Sequence, residues 1–130
     1  MTLPDISQWL RPDWQPHPRV RALVTTRLGR HSPPPWHGFN LGMNCGDDAA
    51  RVEQARRHVH KMLAVDHPPA WLEQVHGDRI IQAGDADTRA DGVWTGEPGW
   101  PCVVLTADCL PVLLARQDGS AVAAVSYTHL

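Results

Sequence analysis

The stretch LPVLLARQDGSAVAAVS, residues 110–126, decides how the second half of the chain folds. Two apolar runs, LPVLLA at 110–115 and SAVAAVS at 120–126, flank the turn-forming trio Gln117-Asp118-Gly119. Such a trio reverses the chain tightly, so the two runs are expected to pair as a β-hairpin. Upstream, PCVVLTA at 101–107 and DGVWT at 91–95 read as further strands. AWLEQV at 70–75 and DRIIQA at 78–83 read as two short strands separated by a turn at His76-Gly77.

The first half reads differently. Residues 1–19 contain Pro4, Pro12, Pro16 and Pro18, which remove backbone donors that a helix or central strand needs. An extended lead-in is expected there, anchored by Trp9 and Trp14. VRALVTT at 20–26 is β-branched and fits a strand, and RLGRHSPPPWHGFNLG at 27–42 is a long loop. Asp47 and Asp48 are suited to cap a helix starting at Ala49. Val52, Ala55, Val59, Met62 and Leu63 then recur at helical spacing along 49–64, until Pro68 and Pro69 end the pattern. Together these elements give the α+β class, a sheet covered by at least one helix.

The balance of 12 Lys and Arg against 14 Asp and Glu gives a formal charge of −2, with no basic face beyond Arg56, Arg57 and Lys61. That balance argues against nucleic acid as a partner. No apolar run approaches the ~20 residues of a membrane span, and no basic segment precedes an apolar one at the N-terminus. The expectation is a cytoplasmic protein without a membrane partner. Cys45, Cys102 and Cys109 are an odd number without close spacing, which points to free thiols or metal ligands rather than disulfides.

Two polar positions stand out in apolar surroundings. His76 lies between Val75 and Gly77, and the pair Asp108-Cys109 joins VVLTA to LPVLLA. Imidazole nitrogen and thiolate sulfur are ligands zinc prefers, and three such ligands with an open fourth position make a catalytic site. Spacing alone, 33 residues with no Cys-x-x-Cys or His-x-x-x-His pattern, favours a satisfied core histidine and an inert buried cysteine over a metal site. Asp108 is a candidate to orient a ligand or accept a proton, or a plain strand-end turn residue. Arg27 has a planar fork suited to phosphate, or to a neighbouring acid. Asn40 is either a substrate contact or a brace for its own turn, and Gln74, on the same strand face as His76, either lines the pocket or is exposed. Cys45 and Cys102 read as packing residues. Trp36, Trp94 and Trp100 are available for stacking on a base or for packing. His58 and His60 are two apart on the helix and do not chelate together.

NLGMNCGDD at 40–48, WLEQVHG at 71–77 and TADCLPVLL at 106–114 resemble the signature blocks of the YfiH-like, laccase-domain family. TTRLG at 25–29, ADGVWT at 90–95, PGWPC at 98–102 and DGSAVAAV at 118–125 extend the match across most of residues 20–125. The resemblance implies mixed β-sheet layers covered by helices, incomplete in this chain. It also implies a zinc-dependent purine nucleoside phosphorylase acting on adenosine, inosine or methylthioadenosine with phosphate, with adenosine deamination as an added activity. Under that reading His76 and Cys109 are metal ligands, with Asp108 beside them in the catalytic group. Arg27, Asn40 and Gln74 are substrate contacts.

The family's third ligand is the histidine of an HAGWRG block directly after VAAV, whereas here Val125 is followed by Ser126 and the tail SYTHL. Residues 126–130 are therefore expected to be an atypical tail on the N-terminal half of a family domain, inactive as it stands. Three rival readings use the same residues. Thiolate and imidazole also bind copper, as in a polyphenol oxidase; Cys109 with His76 as its base suits a cysteine hydrolase; and a non-enzymatic fragment is the third.

Overall fold

The computed structural model describes residues 3–107 and 109–127, so Asp108 and His129 lie outside the described residues. The chain divides into two compact units, Met1–Asp13 with Ala22–Ala64, and Trp14–Arg21 with Val65–Leu130.

The first unit is built on one helix, α1, Ala49–Leu63. The Asp48 carboxylate accepts the Ala50 N–H at 2.8 Å and caps its start. Val52, Ala55 and Val59 form its buried stripe, while Met62 and Leu63 are half-buried. Each fully buried valine of this kind contributes about 1.5–3 kcal/mol. His60 and Lys61 sit in the last turn, the favourable end for positive charge. The helix ends at Ala64, whose left-handed backbone (φ 53°) donates its N–H to the Lys61 carbonyl at 3.2 Å.

The lead-in is not wholly extended. Asp5 and Gln8 form a reciprocal capping box around a single 3-10 turn, Ile6–Gln8, because Asp5 satisfies the Ser7 amide and Gln8 reaches back to the Asp5 amide. Trp9 is buried and stacks on Phe39 at 6.1 Å, with the His58 ring edge-on to both. Trp14, expected as a second anchor, is 40% exposed. The strand expected at 20–26 is a single bridge between Leu10 and Val24. Residues 20–21 belong to the second unit and 22–26 to the first, and β-branched composition reports fit to a sheet without supplying a partner strand. In the long loop, Ser32 bridges Gly38. Gly38 is at φ 110°, and a side chain there would run into the Arg27 carbonyl.

The second unit holds a four-stranded mixed sheet: β1 Ile80–Gln82, β2 Gly92–Thr95, β3 Leu110–Ala115 and β4 Val122–Tyr127, in the order β1-β2-β4-β3. The pair β1 and β2 is parallel, and the other two pairs are antiparallel. The expected hairpin is β3-β4, in register from Ala115 opposite Val122 to Leu110 opposite Tyr127. Gly119 at φ 73° closes the turn by donating its N–H to the Arg116 carbonyl. Strand β4 carries on through Ser126 and Tyr127.

Side chains alternate between the two faces. Ile81, Val93 and Ala124 align across neighbouring strands and are buried, continuing into a cluster with Leu72 and Ala90 and with Cys102 and Val104 packed against it. On the other face Ile80, Trp94 and Leu114 remain about half exposed.

Two expected strands are irregular. In 70–75, Glu73 makes only one rung, with Thr88 and Ala90, and the Val75 amide turns to the Asp91 carboxylate. In 101–107, the Leu105 amide and carbonyl are taken by the Gln74 side chain. Side-chain groups there replace the neighbouring strand.

Candidate functional site

His76 is the second residue of the sharp bend between Val75 and Gly77, and its backbone is left-handed at φ 60°. For a residue with a Cβ that conformation costs roughly 1–2 kcal/mol and persists where the surroundings over-determine it. Asp91 supplies that determination. Its Oδ1 accepts the Val75 N–H at 3.1 Å and the His76 N–H at 2.9 Å, and its Oδ2 accepts the Gly77 N–H at 2.9 Å, with a longer contact of 3.3 Å to Val75. Asp91 is 2% exposed, so these amides replace the water its carboxylate has lost.

Gln74 supplies a second constraint. Its carboxamide nitrogen, Nε2, donates to the Leu105 carbonyl at 2.9 Å, and its Oε1 accepts the Leu105 N–H at 2.7 Å. The segment that leads to Cys109 is thereby tied to the segment that leads to His76. The result is a close pair: His76 Nδ1 lies 3.7 Å from Cys109 Sγ.

That separation allows a direct test of metal fit. Zinc bonds of about 2.3 Å to sulfur and about 2.0–2.1 Å to nitrogen, opened to a tetrahedral angle, set the two donors about 3.5–3.6 Å apart. The observed pair matches within a few tenths of an ångström. Among the described residues no group of three or more His, Cys, Asp or Glu side chains is arranged to hold a metal. His76 is exposed and Cys109 half-buried, so the pair is open to solvent on one side. A shallow depression is lined by Val75, Gly77, Asp78, Arg79, Asp87 and Arg89.

The remaining candidates separate by unit. Arg27 and Asn40 belong to the first unit, and Gln74, His76 and Cys109 to the second. Arg27 is exposed. The Asn40 carboxamide is engaged inside its own loop: Nδ2 donates to the Gly42 carbonyl, Cys45 Sγ and Asp47 Oδ2, and Oδ1 accepts the Gly42 N–H. This is the geometry of a brace. The Asp47 side chain is fully buried and also accepts from Arg51 at 2.6 Å. Burial alone would raise its pKa, but the Asn40, Asp48 and Arg51 donors outweigh that and hold it below the usual carboxylate value.

The thiols differ in setting. Cys102 packs against the second unit's core, and burial pushes its pKa up to about 11. Cys45, expected to pack, is exposed and donates to the Gly42 carbonyl. Of the tryptophans, Trp100 is stacked on His67 at 3.8 Å, and Trp36 donates to the Cys45 carbonyl.

Residues 21–126 match the family described as multi-copper polyphenol oxidoreductase laccase. The chain belongs to that family. Its relatives include a Pseudomonas aeruginosa protein named purine nucleoside phosphorylase, 43% identical over 120 residues, covering 92% of this chain and 49% of the relative. Purine nucleoside phosphorylase YfiH of Escherichia coli is 40% identical over 122 residues, covering 92% and 50%. Among solved structures, a Neisseria meningitidis protein superposes with a TM-score of 0.81 at 34% identity, covering 92% of this chain and 50% of that one. YlmD of Geobacillus stearothermophilus superposes with a TM-score of 0.78 at 26% identity, covering 96% and 51%. The mixed sheet and helix described above are thus the laccase-like fold of this family, and the chain spans about half the length of the relatives it matches.

Asp91 is the residue whose part in this site composition and spacing did not single out. It lies inside the ADGVWT block, and the available signal was an aspartate between Ala90 and Gly92 at the start of an apolar strand.

Proposed function

We propose that this laccase-like chain contributes two donors, His76 and Cys109, to the zinc site of a purine nucleoside phosphorylase. The observation that carries the reading is the 3.7 Å separation of His76 Nδ1 and Cys109 Sγ, matched to tetrahedral zinc. The names of its relatives support the reaction class. In phosphorolysis a phosphate oxygen bonds to the ribose carbon as the bond from that carbon to the purine nitrogen breaks, and the purine leaves with a proton. Bound zinc supplies electrostatic polarisation of a substrate oxygen or nitrogen. The chain's own contribution is alignment. Asp91 and Gln74 hold the imidazole and thiol in place before anything binds, which spares the cost of ordering them during the reaction. Asp108, which precedes Cys109 in the sequence, is assigned to proton transfer in this reading. Ser126 stands where the resemblance expects a histidine, and a serine hydroxyl is a poor zinc ligand. The chain as written is therefore assigned low activity.

The test is release of free base from adenosine with and without phosphate, alongside ammonia release to detect deamination. It is run on this chain and on a version extended through a restored HAGWRG block. Phosphate-dependent release in the extended form, abolished by His76→Ala or Cys109→Ala, is the expected result. Release that ignores phosphate, or survives both substitutions, overturns the reading. The family's description favours copper as a second reading. Metal content of protein produced without added copper separates the two, since a copper enzyme would be recovered empty and inactive.

A further inference from the structure

We infer that Asp91 is the positioning residue of the His76–Cys109 pair, a role that rests on the metal reading above for its function but not for its geometry. The inference starts from an accounting of lone pairs. An ionised carboxylate offers about four acceptor sites. Asp91 directs four contacts, two on each oxygen, to the consecutive amides of Val75, His76 and Gly77. With its acceptors occupied and its side chain buried, it is left neither as a ligand nor as a proton acceptor. What it does is fix backbone.

The fixed backbone matters because the His76 ring is exposed. So is Val75, at 41%. Packing therefore does not hold the ring, and the direction of its Cα–Cβ bond is set by the left-handed φ of 60°. Three successive amides converging on one anion form the concave arrangement that binds anions elsewhere in proteins. Here the anion is internal.

Asp91 is itself anchored at both ends of its peptide unit. Its N–H donates to the Arg79 carbonyl at 3.0 Å, just before β1, and its carbonyl accepts the Ser126 N–H at 2.8 Å from β4. The sheet thus transmits its rigidity through one side chain to the first donor.

The experiment compares Asp91→Asn with Val93→Ala in the full chain. Val93 is a buried core residue of β2, two residues after Asp91, and its truncation lowers stability while leaving the Asp91 carboxylate in place. Cobalt(II) is the probe, with affinity read by chelator competition and thiolate ligation by the sulfur-to-cobalt absorption band. Contact between the His76 ring and the Cys109 β-protons is read by NMR without metal. Asp91→Asn is expected to weaken cobalt binding roughly 10–100-fold and to lose the ring-to-thiol contact, while Val93→Ala keeps both. Equal behaviour of the two variants overturns the inference. If Asp91→Asn does not fold, amide exchange in the unaltered chain decides: slow exchange at 75–77 supports the carboxylate bonds, and exchange at unstructured rates removes them. Should the unaltered chain take up no cobalt, two donors do not hold the ion without a third, and the NMR contact alone judges Asp91, its survival in Asp91→Asn overturning the inference.

Discussion

Gln74 grips the backbone of Leu105 with both ends of its carboxamide, at 2.9 and 2.7 Å, and so joins the chain two residues before His76 to the chain four residues before Cys109. Both bonds are made to main chain, so the tie depends on the amide and not on the identity of Leu105. Gln74→Ala leaves the half-buried Leu105 amide and carbonyl without those partners. The expected loss is about 1–3 kcal/mol, measured by denaturant unfolding. Gln74→Glu keeps an acceptor for the Leu105 N–H but sets a carboxylate against its carbonyl, and is expected to be no better than alanine.

The thiols are expected to react in a fixed order. With its pKa raised to about 11 by burial, Cys102 is about one part in a thousand thiolate at pH 8. Iodoacetamide labelling of native protein followed by peptide mass mapping should modify exposed Cys45 well before Cys102, which becomes reactive on unfolding. Early labelling of Cys102 would contradict its packing.

Asp47 makes the first unit sensitive to acid. Its pKa is depressed below the ordinary 3.8 despite burial, through Asn40, the Asp48 amide and Arg51. A carboxyl of lowered pKa holds fewer protons in the native state than in the unfolded state. Its contribution is therefore complete above the unfolded value and drains away as pH falls through 3.8 and then through the folded pKa. Asp47→Ala is expected to cost about 1–3 kcal/mol near neutrality, and the gap from the unaltered chain should close in strong acid. A gap independent of pH would show that the carboxylate charge is not what stabilises the loop.

At the end of α1, Ala64 holds a left-handed conformation at φ 53°. Glycine relieves the steric cost of that conformation while adding freedom to the unfolded chain. The net expectation for Ala64→Gly is a gain of a few tenths to about 1 kcal/mol, visible as a higher unfolding midpoint.

Local signals identified the elements that satisfy themselves locally. The helix was legible because the Asp48 cap and the stripe Val52-Ala55-Val59 each act within about one helical turn, and the two prolines bar its continuation. The β3-β4 hairpin was legible because its partner strands are joined by their own turn. The expected strands at 20–26, 70–75 and 101–107 had the composition of strands, but each needed a distant partner. Main-chain bridges and the side chains of Asp91 and Gln74 met those needs instead.

The sequence by itself determined the helix, the hairpin, the family blocks and the donor types at positions 76 and 109. Only the tertiary structure decided that those two donors stand 3.7 Å apart, and that Asp91 and Gln74 hold them there. The physical reason is that residue type sets what bonds a side chain can make. Which atoms lie within hydrogen-bonding reach, across 15 residues for Asp91 with His76 and 31 for Gln74 with Leu105, is settled when the sheet closes and brings those segments together.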